Sequence, residues 1–586
     1  MRLSVRTWLL IALGVVGAVG AVTAWLGYEA TQAKSQLEYA RAEAVQAKDA
    51  LARADAGEAS RRIDAALEHA VAAREATHSL PWSAGASVPW VGRPLLATRQ
   101  ISDVVVHLVR DVLRPAVDTS EAISPERFLG ADGRIDLPLL EQAAPALADV
   151  AREARTADTA ARDVVDPAYL APVRDARAAL QTQTSELATL LERAAVAARL
   201  LPPMLGADGP RTYFLGFQTN AEARGTGGLL GGFGILRVAD GRASVDTLGR
   251  NTELNRPFAP IDLGPEFTAQ YGYVNPTVDV RNSNLSPHFP YAARIWQSMW
   301  EQQSGERVDG VIALDPVALS DVLAVTGPVT MPDGETVTAD NVVELTESTA
   351  YLRFADDNDA RKQYLQDIAG EVVTKVTSFA GSHRALLDAL AKAAAEQRIS
   401  VWSDHPDEQA VIEDTVLAHV VPDDPGPYAQ VLVNNLGGNK LDYYLTRQIG
   451  YSAAGCDADR RSSTVTVRLH NDAPSGALPG YVAGSFGLAD GPVRDVPEAT
   501  NVASVSLVAT QGAELTAAYV DGRRIAVFTG MERGHPVFDA QLRIERGATV
   551  EVTFELTEPT APGAARVPVQ PLRDTPTPTV TVPACG

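Results

Sequence analysis

Hydrophobic and polar positions change their spacing along the chain, and each change marks a region. From Trp8 to Tyr28 no charged side chain interrupts the apolar run. As a helix that run would rise about 31 Å, close to the ~30 Å hydrocarbon thickness of a bilayer. Residues 29–80 are rich in Ala, Glu, Gln, Lys and Arg with no proline before Pro81, which favours helix. Leu37, Ala44 and Leu51 recur every seven residues, as do Ala40, Ala47 and Ala54. This short heptad predicts a helical stalk packed on its own neighbours, with a homodimer through the stalk as the alternative. Pro81-Trp82 and Pro89-Trp90 interrupt the pattern, and their aromatic rings are expected to pack against other helices. Helical spacing returns over about 95–118, 138–163 and 171–200, with Pro202-Pro203 expected to stop it.

From Arg211 the runs shorten. Thr212 to Phe217 reads as a buried strand, and Gly231–Val238 with Ala243–Leu248 as a hairpin turning at Asp240-Gly241. A helix is expected near 288–303, a strand over Gly310–Leu314, and helices over Pro316–Val325, Ala339–Tyr351 and about 360–396. Val431-Leu432-Val433 is read as a late strand of the same domain. Beyond Tyr451 the spacing becomes strictly two. Ser463–Leu469, Val502–Val508, Arg524–Phe528 and Thr549–Leu556 alternate between glycine and proline punctuation, which suits an antiparallel β-sandwich. Thr579–Val582 adds a final strand-like segment.

The expected class is therefore α/β: an N-terminal transmembrane helix and helical region, a central α/β/α layered domain and a C-terminal antiparallel β-sandwich. The boundaries are a tail over 1–7, the span over 8–28, an extracytoplasmic helical region over 29–200, the α/β core over 201–450 and the sandwich over 451–586.

Charge and cysteine usage add the compartment. There are 51 basic and 73 acidic residues, a net charge of −22, which opposes binding to a phosphate backbone and argues against nucleic acid as a partner. Arg2 and Arg6 precede the apolar run and no basic residue follows until Lys34, so the short tail is expected in the cytoplasm and the bulk outside. A cleaved signal peptide ending near Val22-Thr23-Ala24 is the alternative. In an oxidising compartment Cys456 and Cys585 are expected to form a disulfide, closing a loop of about 130 residues for about 4–5 kcal/mol. Two separate buried thiols remain the other reading. Two cysteines exclude a multi-cysteine metal site.

The motifs exclude more than they assign. The cluster Arg224 to Gly234 is glycine-rich but lacks the Lys-Ser/Thr of a P-loop and the dinucleotide spacing. It reads as a tight turn with close backbone approach, and Arg224 beside it suits an anion. No zinc helix or nucleophile elbow occurs, so no catalytic residue is assigned. Asp356-Asp357-Asn358-Asp359 lacks the glycine and distal glutamate of a calcium loop and reads as a solvated acidic loop. Arg250 follows a predicted strand, Arg361 and Lys362 open a predicted helix, and Arg281 and Arg353 lie in the segments Asp279–Asn284 and Tyr351–Phe354; such cations favour an anionic ligand or surface ion pairs.

Gln218 to Gly228, Arg281 to Pro287, Val308 to Pro316 and Asn434 to Tyr444 together resemble an uncharacterised bacterial membrane-anchored family, domain of unknown function four-zero-one-two, over about 200–560. The core is also distantly similar to the LytR-CpsA-Psr cell-wall ligases. Val308–Val329 resembles their strand–helix segment. Tyr351-Leu352-Arg353-Phe354, Asp359, Arg361 and Lys362-Gln363 resemble their arginine-rich signature, Arg250-Asn251-Thr252 their Arg-Asp-Thr, and Arg224 an earlier arginine. This resemblance implies a cradle for a polyprenyl-pyrophosphate headgroup, transfer of a glycopolymer to the cell wall, and a magnesium ion. The chain departs from it at Thr226-Gly227, Asn251 and Ala355, where aspartates and a second arginine are usual. A non-catalytic envelope scaffold or wall-polymer-binding protein is the competing expectation.

Overall fold

The computed structural model describes residues 5–52, 55–120, 130, 134–254, 256–377, 379, 381–487 and 496–585. Side chains of residues 5–24, 52 and 120 are outside that description. The chain divides into two compact units, one formed essentially by residues 1–208 and the other by Gly209–Gly586.

The first unit is helical. α1 (Val5–Ala52) and α2 (Ala56–Thr77) form an antiparallel hairpin, in which Arg62 pairs with Glu43, His69 with Gln36, and Ser79 beyond α2 with Glu29. Ala40 and Ala47 are buried inside this chain, so the described part of the heptad packs intramolecularly; Ala54 lies outside the described residues. α3 (Leu80–Ala86) leads into α4 (Arg93–His107), which continues through a π turn (Leu108–Leu113) into α5 (Arg114–Ser120). α6 (Leu137–Arg162) and α7 (Ala171–Met204) complete the bundle. Pro202 and Pro203 do not stop α7 but sit in its last turn, which closes beyond them through the Leu205 N–H to the Leu201 carbonyl at 2.8 Å. Trp82 is buried as expected, with its Nε1–H on the Leu95 carbonyl at 3.0 Å. Trp90 is not: it is 65% exposed and touches the Tyr169 ring.

Among the described residues no helix is long and apolar enough to cross a membrane. The expected span over 8–28 falls mostly on residues 5–24, and the expected tail partly on residues 1–4; both stretches lie outside the side-chain description.

The second unit is mixed α/β. β1 (Arg211–Arg224), β2 (Gly227–Ala239), β3 (Arg242–Arg250), β4 (Gly310–Leu314) and β7 (Ile399–Ser403) form a sheet in the order β3-β2-β1-β4-β7. Only β1 and β4 run parallel in it. The β2–β3 hairpin turns at Asp240-Gly241 as expected, both residues having positive φ. α8 (Pro265–Tyr271) follows this hairpin. α9 (Phe289–Ser304) then packs Phe289, Ile295 and Trp296 against Phe214 and Phe233 of the sheet. Asp315 caps α10 (Pro316–Thr326) by accepting two N–H bonds at 3.0 Å. The short β5 (Val329–Thr330) and β6 (Thr336–Val337) pair beyond it.

The helix expected over 339–351 is broken by a π turn. It comprises α11 (Val342–Glu344), the turn Leu345–Thr349, and α12 (Ala350–Arg353). The one expected over 360–396 is two helices, α13 (Asn358–Thr377) and α14 (His383–Ala395). Asp357 accepts from the Ala360 N–H near the start of α13, so the acidic loop serves as a helix start. α15 (Pro406–Glu413) follows β7.

The late strand read at Val431 belongs elsewhere. β8 (Ala429–Asn435) pairs with β11 (Asn501–Ala509) in the sheet β14-β15-β11-β8, with β14 (Phe528–Glu532) and β15 (His535–Ile544). Its apolar side chains Val431 and Val433 enter the sandwich core beside Val505 and Leu507, which is why all seven of its residues are buried. The facing sheet is β13-β12-β16-β10-β9-β17, from β9 (Leu445–Ala453), β10 (Arg460–Asn471), β12 (Glu514–Val520), β13 (Arg523–Ile525), β16 (Thr549–Pro559) and β17 (Thr579–Thr581). The short α16 (Gly480–Ala483) lies between β10 and β11. Strands therefore enter the sandwich at 429, ahead of the expected boundary at 451. The run Arg524–Phe528 is divided between β13 and β14, which lie in different sheets. Cys456 and Cys585 form the expected disulfide.

Candidate functional site

A cavity of about 650 Å³ opens where the ends of β1, β2 and β3 meet the π turn, the N-terminal half of α13 and the Gly438–Lys440 segment. The sheet end is shaped by the glycine cluster. A Cβ on Gly225 would stand 2.1 Å from the Leu285 carbonyl, and one on Gly228 2.1 Å from that of Thr219. No larger residue fits either place, so the cluster is the close-approach turn its composition predicts.

The lining includes the apolar side chains Phe217, Leu229, Leu248, Leu319, Leu365 and Ile368. It is also rich in cations. Of the six predicted anion-binding residues, Arg224, Arg250, Arg281, Arg361 and Lys362 line this cavity. Arg353 does not. Both its terminal nitrogens fork onto Glu335 at 2.8 Å and its Cζ stands 5.1 Å over the Tyr364 ring, so it is committed to an ion pair outside the site.

The five cations differ in what they can offer a ligand. Arg224 is 1% exposed and donates to the carbonyls of Arg281, Ala223 and Asn435 and to Glu222, so it holds the β1 end together. Arg281 forks onto Asp279 at 3.0 and 2.7 Å. Arg250 donates to Gln366, Asp359 and Gln363 at 3.0–3.2 Å, bracing β3 on α13. The Arg361 guanidinium lies 4.0 Å over the Tyr481 ring and 5.1 Å over that of Tyr351. Lys362 reaches Asn251 at 2.8 Å and Thr252 at 3.1 Å, both neutral acceptors. Burial, with Arg361 and Arg250 nearby, pulls its ammonium down to about 8. A cation so placed gains from an arriving anion.

Three lining groups escaped the sequence reading. Lys440 is 3% exposed, bonded to Glu222, and 5.4 and 5.0 Å from the Tyr351 and Tyr481 ring centres. Burial opposes its charge, but Glu222 with the Tyr481 and Tyr351 hydroxyls together hold the ammonium above its usual range. Tyr481, at the start of α16, stacks on Tyr351 at 6.0 Å. Glu347, inside the π turn, is 1% exposed. Its Oε2 accepts from the Ala221 N–H at 2.5 Å and the Thr219 hydroxyl at 2.9 Å, whereas Oε1 has no partner. Burial, helped by the charge of Asp315, pushes this carboxyl up to about 7. Thr219 also lies 3.3 Å from the Tyr351 hydroxyl, so Glu347 is linked through one side chain to the aromatic–cation stack. Isolated π turns recur at functional sites, and this one lies between two segments that the ligase resemblance took in, Val308–Val329 and Tyr351–Phe354.

Among the described residues no group of three or more His, Cys, Asp and Glu side chains is placed to hold a metal ion. The carboxylates present do not fit the magnesium that the ligase resemblance implies. Asp315 is spent on its helix cap and on Arg398 at 2.9 Å, and Glu347 shares Oε2 with two donors.

Residues 208–351 match the model of the family described as Protein of unknown function (DUF4012). The match takes in Arg224, Arg250, Arg281 and Glu347 and ends at Tyr351, so it is narrower than the resemblance read over about 200–560. Neither the curated proteins nor the solved structures returned a match, and no similarity to the LytR-CpsA-Psr ligases emerged.

Proposed function

We propose that this is a membrane-anchored, extracytoplasmic cell-envelope protein whose α/β core binds a lipid-linked phosphate or pyrophosphate. The observation that carries the reading is a single cavity lined both by apolar side chains and by the cations Arg250, Arg361, Lys362 and Lys440. An alkyl or polyprenyl chain gains by leaving water along the first, and a phosphate gains charge-assisted bonds at the second. The long apolar run at the N-terminus supplies the anchor in this reading.

Glu347 extends the reading toward transfer of a glycopolymer. A carboxyl that titrates near neutrality, with one oxygen unpartnered, suits a base accepting the proton of an acceptor hydroxyl. The saturation of Arg224 and Arg281 by protein groups, and the loss of Arg353 to Glu335, support the second reading, a non-catalytic scaffold that holds lipid or wall polymer.

Native mass spectrometry of the detergent-extracted full chain, with added polyprenyl phosphate or polyprenyl pyrophosphate, tests the binding. The expected result is a one-to-one adduct that is lost in Lys362→Ala. No adduct with either lipid would overturn the binding reading and leave the scaffold without a lipid ligand. With a lipid-pyrophosphate-linked glycan as donor, passage of its glycan phosphate to a hydroxyl acceptor with release of lipid phosphate, abolished by Glu347→Gln, would carry the transfer step.

A further inference from the structure

One end of the helical unit gathers large apolar side chains that are exposed among the described residues. Trp25 and Tyr28 on α1 are 54% and 57% exposed, Leu80 at the start of α3 is 88% exposed, and Trp90, Val91 and Tyr169 are 65%, 54% and 53% exposed. Three contacts bring these segments to one level. The Ser79 hydroxyl donates to the Glu29 carboxylate at 2.7 Å, Leu26 stands 3.3 Å from where a Gly85 Cβ would be, and the Tyr169 hydroxyl donates to the Val91 carbonyl at 2.8 Å. The Trp90 and Tyr169 rings then lie 5.2 Å apart, and those of Trp25 and Tyr28 6.4 Å apart.

Trp90 is held outward against its own preference. Its φ is +63°, the left-handed region that a bulky residue avoids, and most of its ring faces solvent. A strained backbone that displays an aromatic side chain, where burial would be the ordinary use, points to a role outside the fold. The level at which the collar forms identifies the occupant. It adjoins residues 26–29 of α1 through Gly85 and Ser79, where the uncharged run from Trp8 to Tyr28 ends. Tryptophan and tyrosine, each with an apolar body and one polar tip, are the side chains that suit the boundary between hydrocarbon and headgroups.

We infer that this end of the helical unit is a lipid-docking surface, with Trp90, Val91, Leu80 and Tyr169 seated in the interfacial region of the bilayer beside the emerging α1. The inference rests on the anchored reading above and adds to it a second, peripheral attachment. Such a foot would restrict the tilt of the helical unit on its single span, which a lone helix does not do.

The test uses the full chain reconstituted into phosphatidylcholine vesicles, with and without bromine-labelled acyl chains as a quencher. Both native cysteines are bonded to each other, so one introduced thiol takes a fluorophore selectively. The label is placed in Trp90→Cys, in Tyr169→Cys and, as a control, in Leu190→Cys, which is 63% exposed and about 28 Å further along α7. Docking predicts that brominated lipid quenches positions 90 and 169 several times more than position 190. Equal quenching at all three in a protein that floats with the vesicles would overturn the docking and leave the anchor intact. A full chain that does not float with vesicles would overturn the anchored reading itself.

Discussion

The state of Glu347 can be read from stability before any ligand is known. Its carboxyl is pushed from 4.5 up to about 7 by burial, with the Ala221 N–H and Thr219 hydroxyl only partly offsetting that cost. Between those two values the folded protein keeps a proton that the unfolded chain releases. The associated stability is therefore complete below about pH 4.5 and is lost as pH rises through 7. Integrating over the two titrations, the wild type should be about 2–3 kcal/mol less stable at pH 8 than at pH 5 on account of this group alone. Glu347→Gln removes the titration while keeping an amide oxygen for the Ala221 and Thr219 donors. Glu532 is also raised to about 7, with Tyr271 and Ser286 donating to it, and burial lowers His288 to about 3 and His419 to about 4, so the wild-type profile alone mixes several groups. The difference between wild type and Glu347→Gln isolates one. In thermal unfolding of the full chain, the transition of the second unit should favour the variant increasingly from pH 5 to pH 8, by about 3 °C for a unit of this size. Parallel pH profiles for the two proteins would refute the assignment of a buried, proton-holding carboxyl to the cavity.

The remaining predictions concern the cations and the crosslink. Lys362, lowered to about 8 by burial, Arg361 and Arg250, should bind an anionic lipid best below that pH. Affinity for polyprenyl phosphate in a titration should therefore fall from pH 7 to pH 9 in the wild type and be weak and flat over that range in Lys362→Met. Arg353→Ala should leave lipid affinity unchanged, because this residue is outside the cavity; losing its half-exposed pair with Glu335 should lower stability by less than about 1 kcal/mol in denaturant titration. Glu222→Gln should be severe, about 3–5 kcal/mol, since Arg224 and Lys440 would share one neutral partner while buried. Cys456→Ser with Cys585→Ser should lower the denaturation midpoint by the equivalent of about 3–5 kcal/mol, and reductant should reproduce the shift in the wild type.

What was legible in the sequence follows from the range of the forces involved. The β2–β3 hairpin, α9 and the start of α10 depend on residues a few positions apart: Asp240-Gly241 with positive φ, an apolar face at helical spacing, and Asp315 ahead of Pro316. The disulfide was legible from the cysteine count and the oxidising compartment the sequence led one to expect. The site was half legible, because arginine and lysine at strand ends and helix starts mark where cations are placed without marking where they point. Arg353 and Arg361 lie eight residues apart with similar surroundings in sequence, yet one turns to Glu335 and the other stacks on Tyr481. Which way each turns is decided by β6 and α16, elements with no local signal of an approach to α13. Lys440 and Glu222 are separated by 218 positions and form one buried pair, so neither has a meaning that a window of sequence could expose. The same holds for Val431–Val433, whose apolar run fits any buried strand and whose sheet is chosen by pairing with Val505 and Leu507. The π turn is the sharpest case. The segment 339–351 has ordinary helical spacing, yet the fold widens one turn of it, and from that turn the Glu347 carboxylate meets the Ala221 N–H. The feature that places a proton-exchanging group in the cavity is thus the one at which local helical spacing and the tertiary fold disagree, as strained or functional positions do when the rest of a sequence is consistent with its structure.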